Sequence, residues 1–434
     1  MPDYFPEDNL PLPLDTEVRS LQKINDLLRG GIGLSLTNSG LGSDAFGRLR
    51  VSEPFTLFDS SHRYRDNGLW NSSVATGGAV SFNANQGLID LTVTAASGSK
   101  VLRETTKVFS YQPGKSLLIL NTFVFAGAKT NLRQRAGYFG TDNGLYLQLD
   151  GTTLSFVERS LSTGTTTTVN QANWNGDKLN GSGPSGLTLD IAKAQIMWMD
   201  IEWLGLGTVR LGFVINGQFI TCHSFHHANL ITSTYITTAS LPLRLEIENT
   251  GATSGSSTLK QVCSTVISEG GYQLNGAQQA AFTPILTPYT LVTAGTYYPV
   301  VSLRLKSTRL DAIAVLTAVS FLPTEANDYN WQVRAACTTA NGSWGNVDTD
   351  SAVEYNLTGT GVSGGRILAS GFVKSTATVG PSIDILKEAL FRFQLERNTF
   401  TNTPSELSFV VATSGSGTVN KNVFASMDWE EISR

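Results

Sequence analysis

The sequence predicts an all-β protein of two tandem β-sandwich domains, of the jelly-roll type, with a short extended and helical arm at the N-terminus. Three observations support this fold class. Apolar residues make up 41% of the 434 residues and charged residues only 15%, whereas about a quarter is charged in an ordinary protein. The 42 glycines are suited to tight turns. Short alternating apolar segments follow one another without helical periodicity, which is typical of a sandwich or jelly roll.

The first 45 residues differ from the rest and predict an attachment arm. Residues 1–14 contain four prolines, which exclude a helix. A short helix is predicted from Asp15 or Thr16, which can cap it, to about Arg29, which precedes two glycines. Its seam has the spacing of a coiled coil, so four residues are candidates for self-association: Val18, Leu21, Asn25 and Leu28. A helix docked on its own domain fits the same pattern, and both alternatives stay open.

From residue 46 onward the pattern is that of strands and hairpins. A long apolar strand is predicted at residues 117–125, and residues 145–157 predict a hairpin that turns at Asp-Gly. Residues 209–223 give the strongest hairpin signal in the chain, because two alternating segments flank Asn216 and Gly217.

The C-terminal part repeats this pattern. Segments 243–250 and 391–399 both alternate apolar residues with Arg and Glu, so one face is expected to pack and the other to meet water. A turn rich in Ser, Thr and Gly follows each segment and leads to a closing strand. The sequence therefore predicts an arm at 1–45 and two related sandwiches at 46–280 and 281–434.

Composition also excludes several classes of function. The net charge of −4 gives no electrostatic reason to bind nucleic acid. The N-terminus lacks the basic and apolar regions of a signal peptide, and no run of about 18 apolar residues occurs, so no export signal and no membrane span is predicted. Cys222, Cys263 and Cys337 are widely spaced. They are expected to be buried free thiols and not disulfide partners or metal ligands.

The sharpest enzymatic candidate is the segment Trp-Met-Asp-Ile-Glu at residues 198–202. It is similar to the Glu-x-Asp-x-Glu strand of laminarinase-type retaining glycosidases, which are lectin-like jelly rolls. That resemblance implies an acid/base role for Glu202 and a tuning role for Asp200, but Trp198 stands where the nucleophile belongs. Retaining hydrolysis needs two carboxylates, and an indole cannot attack carbon. No catalytic residue is therefore predicted, and a polysaccharide-degrading enzyme is kept only as a third function.

Neither a metal nor a cofactor is predicted. Three of the four histidines lie at residues 223–227. In a continuous strand His223 and His227 would share a face with Phe225 between them, whereas zinc needs three or four ligands that converge on one point. The Gly-x-Gly-x-x-Gly match at 359–364 precedes another strand and not a helix, so it indicates a hairpin loop.

Two tryptophans in polar loops are candidates for glycan contact. Trp174 and Trp344 have asparagine and glycine neighbours, and sugar rings stack on exposed indoles while amides bond their hydroxyls. The alternative is that each indole covers the end of a sandwich or packs into a subunit interface.

Several distinctive strings resemble one known family. Residues 44–60 are Asp-Ala-Phe-Gly-Arg-Leu-Arg-Val-Ser-Glu-Pro-Phe-Thr-Leu-Phe-Asp-Ser, and further matching segments lie at 133–139, 223–229, 246–251 and 263–271. Together they resemble a family of tailed-bacteriophage virion structural proteins.

That resemblance implies a non-enzymatic component of the virion, made in the host cytoplasm. We expect an external fibre, collar or decoration protein that its N-terminal arm holds to other virion proteins. We also expect a homo-oligomer, with a trimer as the first choice by analogy with phage fibres. The main alternative is an adhesin that binds host-surface glycan through a lectin-like sandwich.

Overall fold

A computed structural model describes residues 53–375, 382–383 and 393–433 of the chain. By their contacts the residues divide into two units, Met1–Glu53 and Pro54–Arg434. The described part of the second unit consists of antiparallel strands and connecting turns, with one short 3-10 turn. The all-β prediction is therefore confirmed. In the same part of the chain no helix is long and apolar enough to cross a membrane.

The predicted arm, with Val18, Leu21, Asn25 and Leu28, lies outside the described residues. Its helix and its role in self-association stay predictions.

The first sandwich packs an eight-stranded sheet on a seven-stranded one. The spatial order of the larger sheet is β13 (Gln218–Phe225), β12 (Val209–Ile215), β11 (Gln195–Ile201), β6 (Ser116–Val124), β15 (Ser257–Glu269), β4 (Leu88–Val93) and β3 (Ala79–Asn83), with β1 (Pro54–Ser61) also on β15. The smaller sheet has the order β10 (Thr165–Asn170), β9 (Thr153–Ser160), β8 (Gly144–Asp150), β7 (Leu132–Phe139), β14 (Leu243–Asn249), β5 (Lys100–Thr105) and β2 (Trp70–Ala75). The inner faces of both sheets form one apolar core.

The second sandwich has the same construction and its own apolar core. Its five-stranded sheet contains β16 (Ala277–Phe282), β28 (Thr418–Ser433), β19 (Ile313–Pro323) and β24 (Ser382–Ile383), with β17 (Tyr289–Thr293) also on β28. Its six-stranded sheet has the order β21 (Gly345–Asn346), β22 (Val353–Asn356), β18 (Tyr298–Leu305), β27 (Glu406–Thr413), β20 (Asn327–Ala340) and β23 (Gly361–Ser375). A small ladder joins β25 (Arg397–Asn398) to β26 (Thr403–Pro404).

The chain passes from one sandwich to the other between Glu269, where β15 ends, and Ala277, where β16 begins. The boundary that the sequence suggests, residue 280, falls inside β16. Both sandwiches belong to the single compact unit Pro54–Arg434.

The predicted hairpins are confirmed. Strands β12 and β13 pair through a two-residue turn in which Asn216 and Gly217 have φ angles of 53° and 76°. Positive φ at both central residues matches the right-handed twist of the strands and favours Asn-Gly. Strands β8 and β9 also form a hairpin, but Asp150 ends β8 and pairs with Thr153, so the two central turn residues are Gly151 and Thr152.

The prediction that segment 391–399 mirrors segment 243–250 was wrong. Within it Gln394 forms only an isolated bridge to Val315, and β25 covers two residues. The strand that precedes the closing strand β28 is β27 instead. Alternation of apolar and polar residues occurs in both segments, but alternation does not specify a partner strand.

The polar face of β14 also differs from the prediction, because it does not meet water. Arg244 and Glu246 are only 9% and 4% exposed. Strands β5 and β7 flank β14 on both sides, and Arg135 of β7 pairs with Glu246. Opposite charges that pair in this way make burial of a charged face tolerable.

Candidate functional site

Strand β11 places the candidate catalytic residues on the outer face of the eight-stranded sheet. Trp198 is buried under its own neighbours: its Nε1 donates to the Ile220 carbonyl oxygen (3.3 Å), and its ring packs edge-on against Phe219. Asp200 is buried too and forms an ion pair with Arg210 of β12. The two positions are therefore occupied by an enclosed indole and a neutralised carboxylate.

Glu202 lies beyond the end of β11 and has a local structural role. Its carboxylate accepts the backbone N–H of Thr208 (3.2 Å), and the backbone N–H of Glu202 bonds the Thr208 carbonyl oxygen (3.1 Å). These bonds close the turn that leads into β12. Double displacement would require a second free carboxylate, and the other candidate carboxylate of this segment, Asp200, is held by Arg210.

A groove of about 700 Å³ crosses the same outer face, and we name it the cross-strand groove. Strands β11, β12 and β15 contribute the aliphatic residues Ile196, Val214 and Val262, and loop 188–194 contributes Asp190 and Lys193. One acid and one base give the rim no net charge. The aliphatic lining suits contact with apolar groups of another protein.

The cysteines partly contradict the sequence prediction. All three are free and Cys222 and Cys337 are buried, but Cys263 is exposed beside the cross-strand groove. The register of β15 shifts between Gln261 and Cys263. This irregularity turns the Cys263 side chain toward the outer face of the sheet.

The three clustered histidines do not form a common site. Strand β13 ends at Phe225, so His223 and His227 do not share a strand face, and that prediction was wrong. His223 Nδ1 accepts the backbone N–H of Asn175 (3.3 Å), and His226 Nδ1 lies 3.2 Å from the Thr208 hydroxyl. Among the described residues, no group of three or more His, Cys, Asp or Glu could hold a metal ion.

His227 instead forms a buried ionic clamp. Its Nε2 lies 2.9 Å from the Glu158 carboxylate, its Nδ1 lies 2.5 Å from the Gly207 carbonyl oxygen, and its ring stacks on Tyr235. Carbonyl and carboxylate oxygens accept hydrogen bonds, so both ring nitrogens can donate to them together only when the ring is protonated. Burial opposes this charge, but the bonds to Glu158 and Gly207 outweigh it and raise the pKa of His227 above 6.5.

This clamp predicts a pH-dependent contribution to stability. We expect His227→Gln to lower the free energy of unfolding by about 1.5–3 kcal/mol at pH 6, because hydrogen bonds to a charged group are lost. Because the pKa of His227 is higher in the folded than in the unfolded protein, its protonation contributes fully to stability below the unfolded-state pKa. This contribution is lost as the pH rises through the folded-state pKa. The difference between wild type and variant should therefore shrink from pH 6 to pH 9 in urea unfolding.

The exposed neighbour His226 provides a matched control, since His226→Gln should have little effect at either pH. The other histidines titrate in wild type and variant alike, so their contribution cancels when the two free energies of unfolding are subtracted. A His227 difference that grows with pH would contradict the charged clamp.

The prediction that Trp174 is exposed to glycan was wrong. Its side chain is 2% exposed, its ring packs on Phe156 at 4.6 Å, and its Nε1 donates to the Val169 carbonyl oxygen (3.1 Å). The 3-10 turn Gln171–Asn173 directs the indole into the core. Trp174 thus covers the end of the sandwich, which was the alternative.

Trp344 keeps a partly exposed ring. The guanidinium carbon of Arg304 lies 4.0 Å from the ring centroid and covers one face of the indole. One face is therefore occupied by a cation–π contact, which leaves glycan contact at Trp344 a prediction.

A buried network of charged side chains connects the two sandwiches, and we name it the ionic junction. Its centre is Arg397 of the second sandwich, which donates to the Glu104 carboxylate of the first (2.8 Å). Both side chains are only 2% exposed. The other Glu104 oxygen accepts from Arg244 (3.2 Å), and Arg397 also bonds the carbonyl oxygen of Thr105 (2.5 Å). Every charge at this centre has an opposite partner from a different strand.

A second part of the ionic junction surrounds Glu396. This carboxylate lies 3.7 Å from the Lys107 ammonium and also pairs with Arg366. Burial lowers the pKa of Lys107, and Glu396 opposes that shift. Next to these charges, Val108 of the first sandwich packs against Ile313 and Val315 of the second. Ionic and apolar contacts together fix the two sandwiches against each other.

Sequence reasoning missed the ionic junction, although its signal was present. The Arg and Glu residues of segments 243–250 and 391–399 supply Arg244, Glu396 and Arg397. Their alternation was interpreted as a solvated face. Their partner Glu104 lies 293 residues from Arg397 along the chain, and no local pattern joins residues at that separation.

Comparison with known proteins gives distant structural similarity only. No protein-family model matches the sequence, and no curated protein matches it. The Emp47p carbohydrate recognition domain is 14% identical, with 53% of this chain and 100% of that domain covered and a TM-score of 0.31. Peanut lectin is 12% identical, with 50% of this chain and 98% of the lectin covered and a TM-score of 0.32. A protein of unknown function from Shewanella oneidensis MR-1 is 11% identical, with 62% of this chain and 98% of that protein covered and a TM-score of 0.34. TM-scores this low support no functional argument.

Proposed function

We propose that the chain is a non-enzymatic structural component of a bacteriophage virion, an external fibre, collar or decoration protein anchored by its N-terminal arm. The main structural support is the ionic junction. Domains within one chain usually move relative to each other unless their interface is extensive. Here Arg397, Glu104 and the apolar contact at Val108 hold two sandwiches as one body. A tandem body held in this way suits a protein that spans and holds positions on a particle, and the resemblance of residues 44–60 to strings of phage structural proteins suggests the virion context.

The contacts of the three candidate residues at β11 support the non-enzymatic part of this proposal. Trp198 is enclosed, Asp200 is paired with Arg210, and Glu202 closes a turn. None of the three is placed to attack a glycosidic carbon.

We also propose that the chain self-associates, with a trimer as the first choice. Loop 283–288 supports this, because Ile285 and Leu286 are 79% and 91% exposed. Adjacent exposed aliphatic side chains are typical of surfaces that a second subunit covers.

Deletion of residues 1–45 tests the anchoring role. We expect the truncated chain to keep the melting temperature of the full chain, because the compact unit begins at Pro54. The truncated chain should nevertheless be absent from purified particles, as quantified by mass spectrometry against the major particle protein. The full chain with Thr167→Ala, a change at an exposed position of β10, serves as a control that should be incorporated normally. Incorporation of the truncated chain at normal copy number would contradict the proposal.

A second candidate function is a host-surface glycan-binding adhesin. The observation that favours it is a polar cleft between the sandwiches, lined by hydroxyl, amide and carboxylate groups. These groups match the hydrogen-bonding capacity of sugar hydroxyls.

A further inference from the structure

The two sandwiches enclose a cleft of about 480 Å³ at their junction, and we name it the inter-sandwich cleft. The first sandwich contributes Thr238 and Ser240, and the second contributes loop 307–312 together with Thr399 and Asn402. Its volume lies within the range of about 300–1,000 Å³ that is typical of small-molecule sites. Because both sandwiches supply its walls, the cleft depends on the contacts that hold them together.

Asp311 is the carboxylate that the cleft presents. One of its oxygens, Oδ1, accepts two bonds from the buried Arg397 guanidinium, both at 3.1 Å. The Asp311 side chain is nevertheless 62% exposed, and its second oxygen has no hydrogen-bond partner among the described residues. Arg397 thus positions a carboxylate whose free oxygen can accept hydrogen bonds from a ligand.

Asn402 supplies an amide on a second element of the wall. Its φ angle of 53° and the bond from its N–H to the Thr399 carbonyl oxygen (3.3 Å) define a tight turn. Its side-chain amide makes no hydrogen bond to any other part of the chain that the structure describes. The Thr399 hydroxyl donates to Glu104 (2.9 Å), which ties this turn to the ionic junction.

Hydroxyl groups complete the lining, together with the guanidinium of Arg309. Ser307 and Thr308 are exposed and form no side-chain hydrogen bond with the described residues. The guanidinium of Arg309 bonds the neutral carbonyl oxygen of Asp350 and so keeps its positive charge, whereas that of Arg397 is neutralised by carboxylates. The two charges that the lining presents to a ligand, Asp311 and Arg309, are opposite in sign, so the lining has no net charge, which suits a neutral ligand better than an anion.

We propose that the inter-sandwich cleft binds a neutral saccharide unit of a surface glycan, whose hydroxyls pair with Asp311 and Asn402. This inference rests on the second candidate function, the glycan-binding adhesin. A carboxylate accepts from adjacent sugar hydroxyls, whereas an amide both donates and accepts, so the two groups together can hold a pair of neighbouring hydroxyls in one orientation. Arg397 acts through Asp311 and is a positioning residue.

The experiment uses the full chain and a panel of neutral and anionic oligosaccharides, followed by calorimetric titration of the best neutral one. We expect binding of a neutral member, and an affinity reduced about tenfold or more in Asn402→Asp and in Asp311→Asn. Asn402→Asp keeps a side chain that tolerates positive φ, so its melting temperature should not change. Thr167→Ala, on the exposed strand β10, is the control and should bind as wild type does.

The possible results distinguish failure of the inter-sandwich cleft as the binding site from failure of the glycan-binding function. Wild-type binding that both cleft variants retain would overturn the inter-sandwich cleft as the site but leave a glycan-binding adhesin standing. A wild-type chain that binds no oligosaccharide of the panel would overturn both. Binding of anionic oligosaccharides alone would overturn the neutral class of ligand proposed for the cleft. Loss of binding in Asp311→Asn with Asn402→Asp unaffected would contradict the paired recognition of two hydroxyls.

Discussion

Replacement of Arg397 by methionine is expected to lower the free energy of unfolding by about 3–5 kcal/mol, because it removes one partner of a buried ion pair. Glu104 would keep its charge at 2% exposure but would lose the bond of 2.8 Å to Arg397. The carbonyl oxygen of Thr105 would lose its bond to the same guanidinium. Urea unfolding followed by tryptophan fluorescence measures the loss.

The same substitution should also separate the unfolding of the two sandwiches. Each has its own apolar core, and the ionic junction is the main polar link between them. With Arg397→Met we therefore expect two resolved transitions in calorimetry where wild type shows one. The double variant Arg397→Met/Glu104→Gln should recover part of the lost free energy. It removes a buried carboxylate that would otherwise have Arg244 as its one cation among the described residues, while Arg244 keeps its pair with Glu246.

The control is Lys421→Met, which breaks the half-exposed pair with Glu325. A pair this accessible to water contributes about 0–1 kcal/mol. If Lys421→Met and Arg397→Met lowered the free energy of unfolding equally, burial of the ionic junction would not add to its stabilising effect.

The sequence predicted those parts of the fold that depend on neighbouring residues. The β12–β13 hairpin follows from Asn216 and Gly217, since both adopt the positive φ that the turn requires. Strand β6 was predicted from its long, largely apolar segment, which fits its central place in the sheet between β11 and β15. In these cases local preference and tertiary structure agree.

The candidate site was harder to predict because it depends on contacts between distant segments. Arg397 and Glu104 belong to different sandwiches, and each taken alone resembles a solvated charge on an alternating strand. The inter-sandwich cleft likewise combines Ser240 with Asp311 and Asn402. No periodicity in the sequence indicates which strand faces meet, so buried and exposed polar faces look alike until the pairing is known.

Trp174 shows how a polar context can conceal a core residue. Its neighbours Asn173, Asn175 and Gly176 suggest an exposed loop. The Asn175 side chain, however, forms two bonds to the backbone of Ser224, and the Gly176 N–H bonds the Cys222 carbonyl oxygen. The polar neighbours thus fasten the loop to β13 and leave the indole enclosed beneath it.

We therefore expect Trp174→Ala to lower the free energy of unfolding by about 3–5 kcal/mol, the range for truncating a fully buried aromatic side chain. Trp344→Ala is the matched control and should cost about 1 kcal/mol, because that ring is partly exposed and loses chiefly its contact with Arg304. Guanidinium unfolding compares the two variants with wild type. If Trp174→Ala unfolded at the wild-type midpoint yet lost glycan binding, the result would contradict the burial of Trp174. It would then favour stacking on this indole over hydrogen bonding in the inter-sandwich cleft.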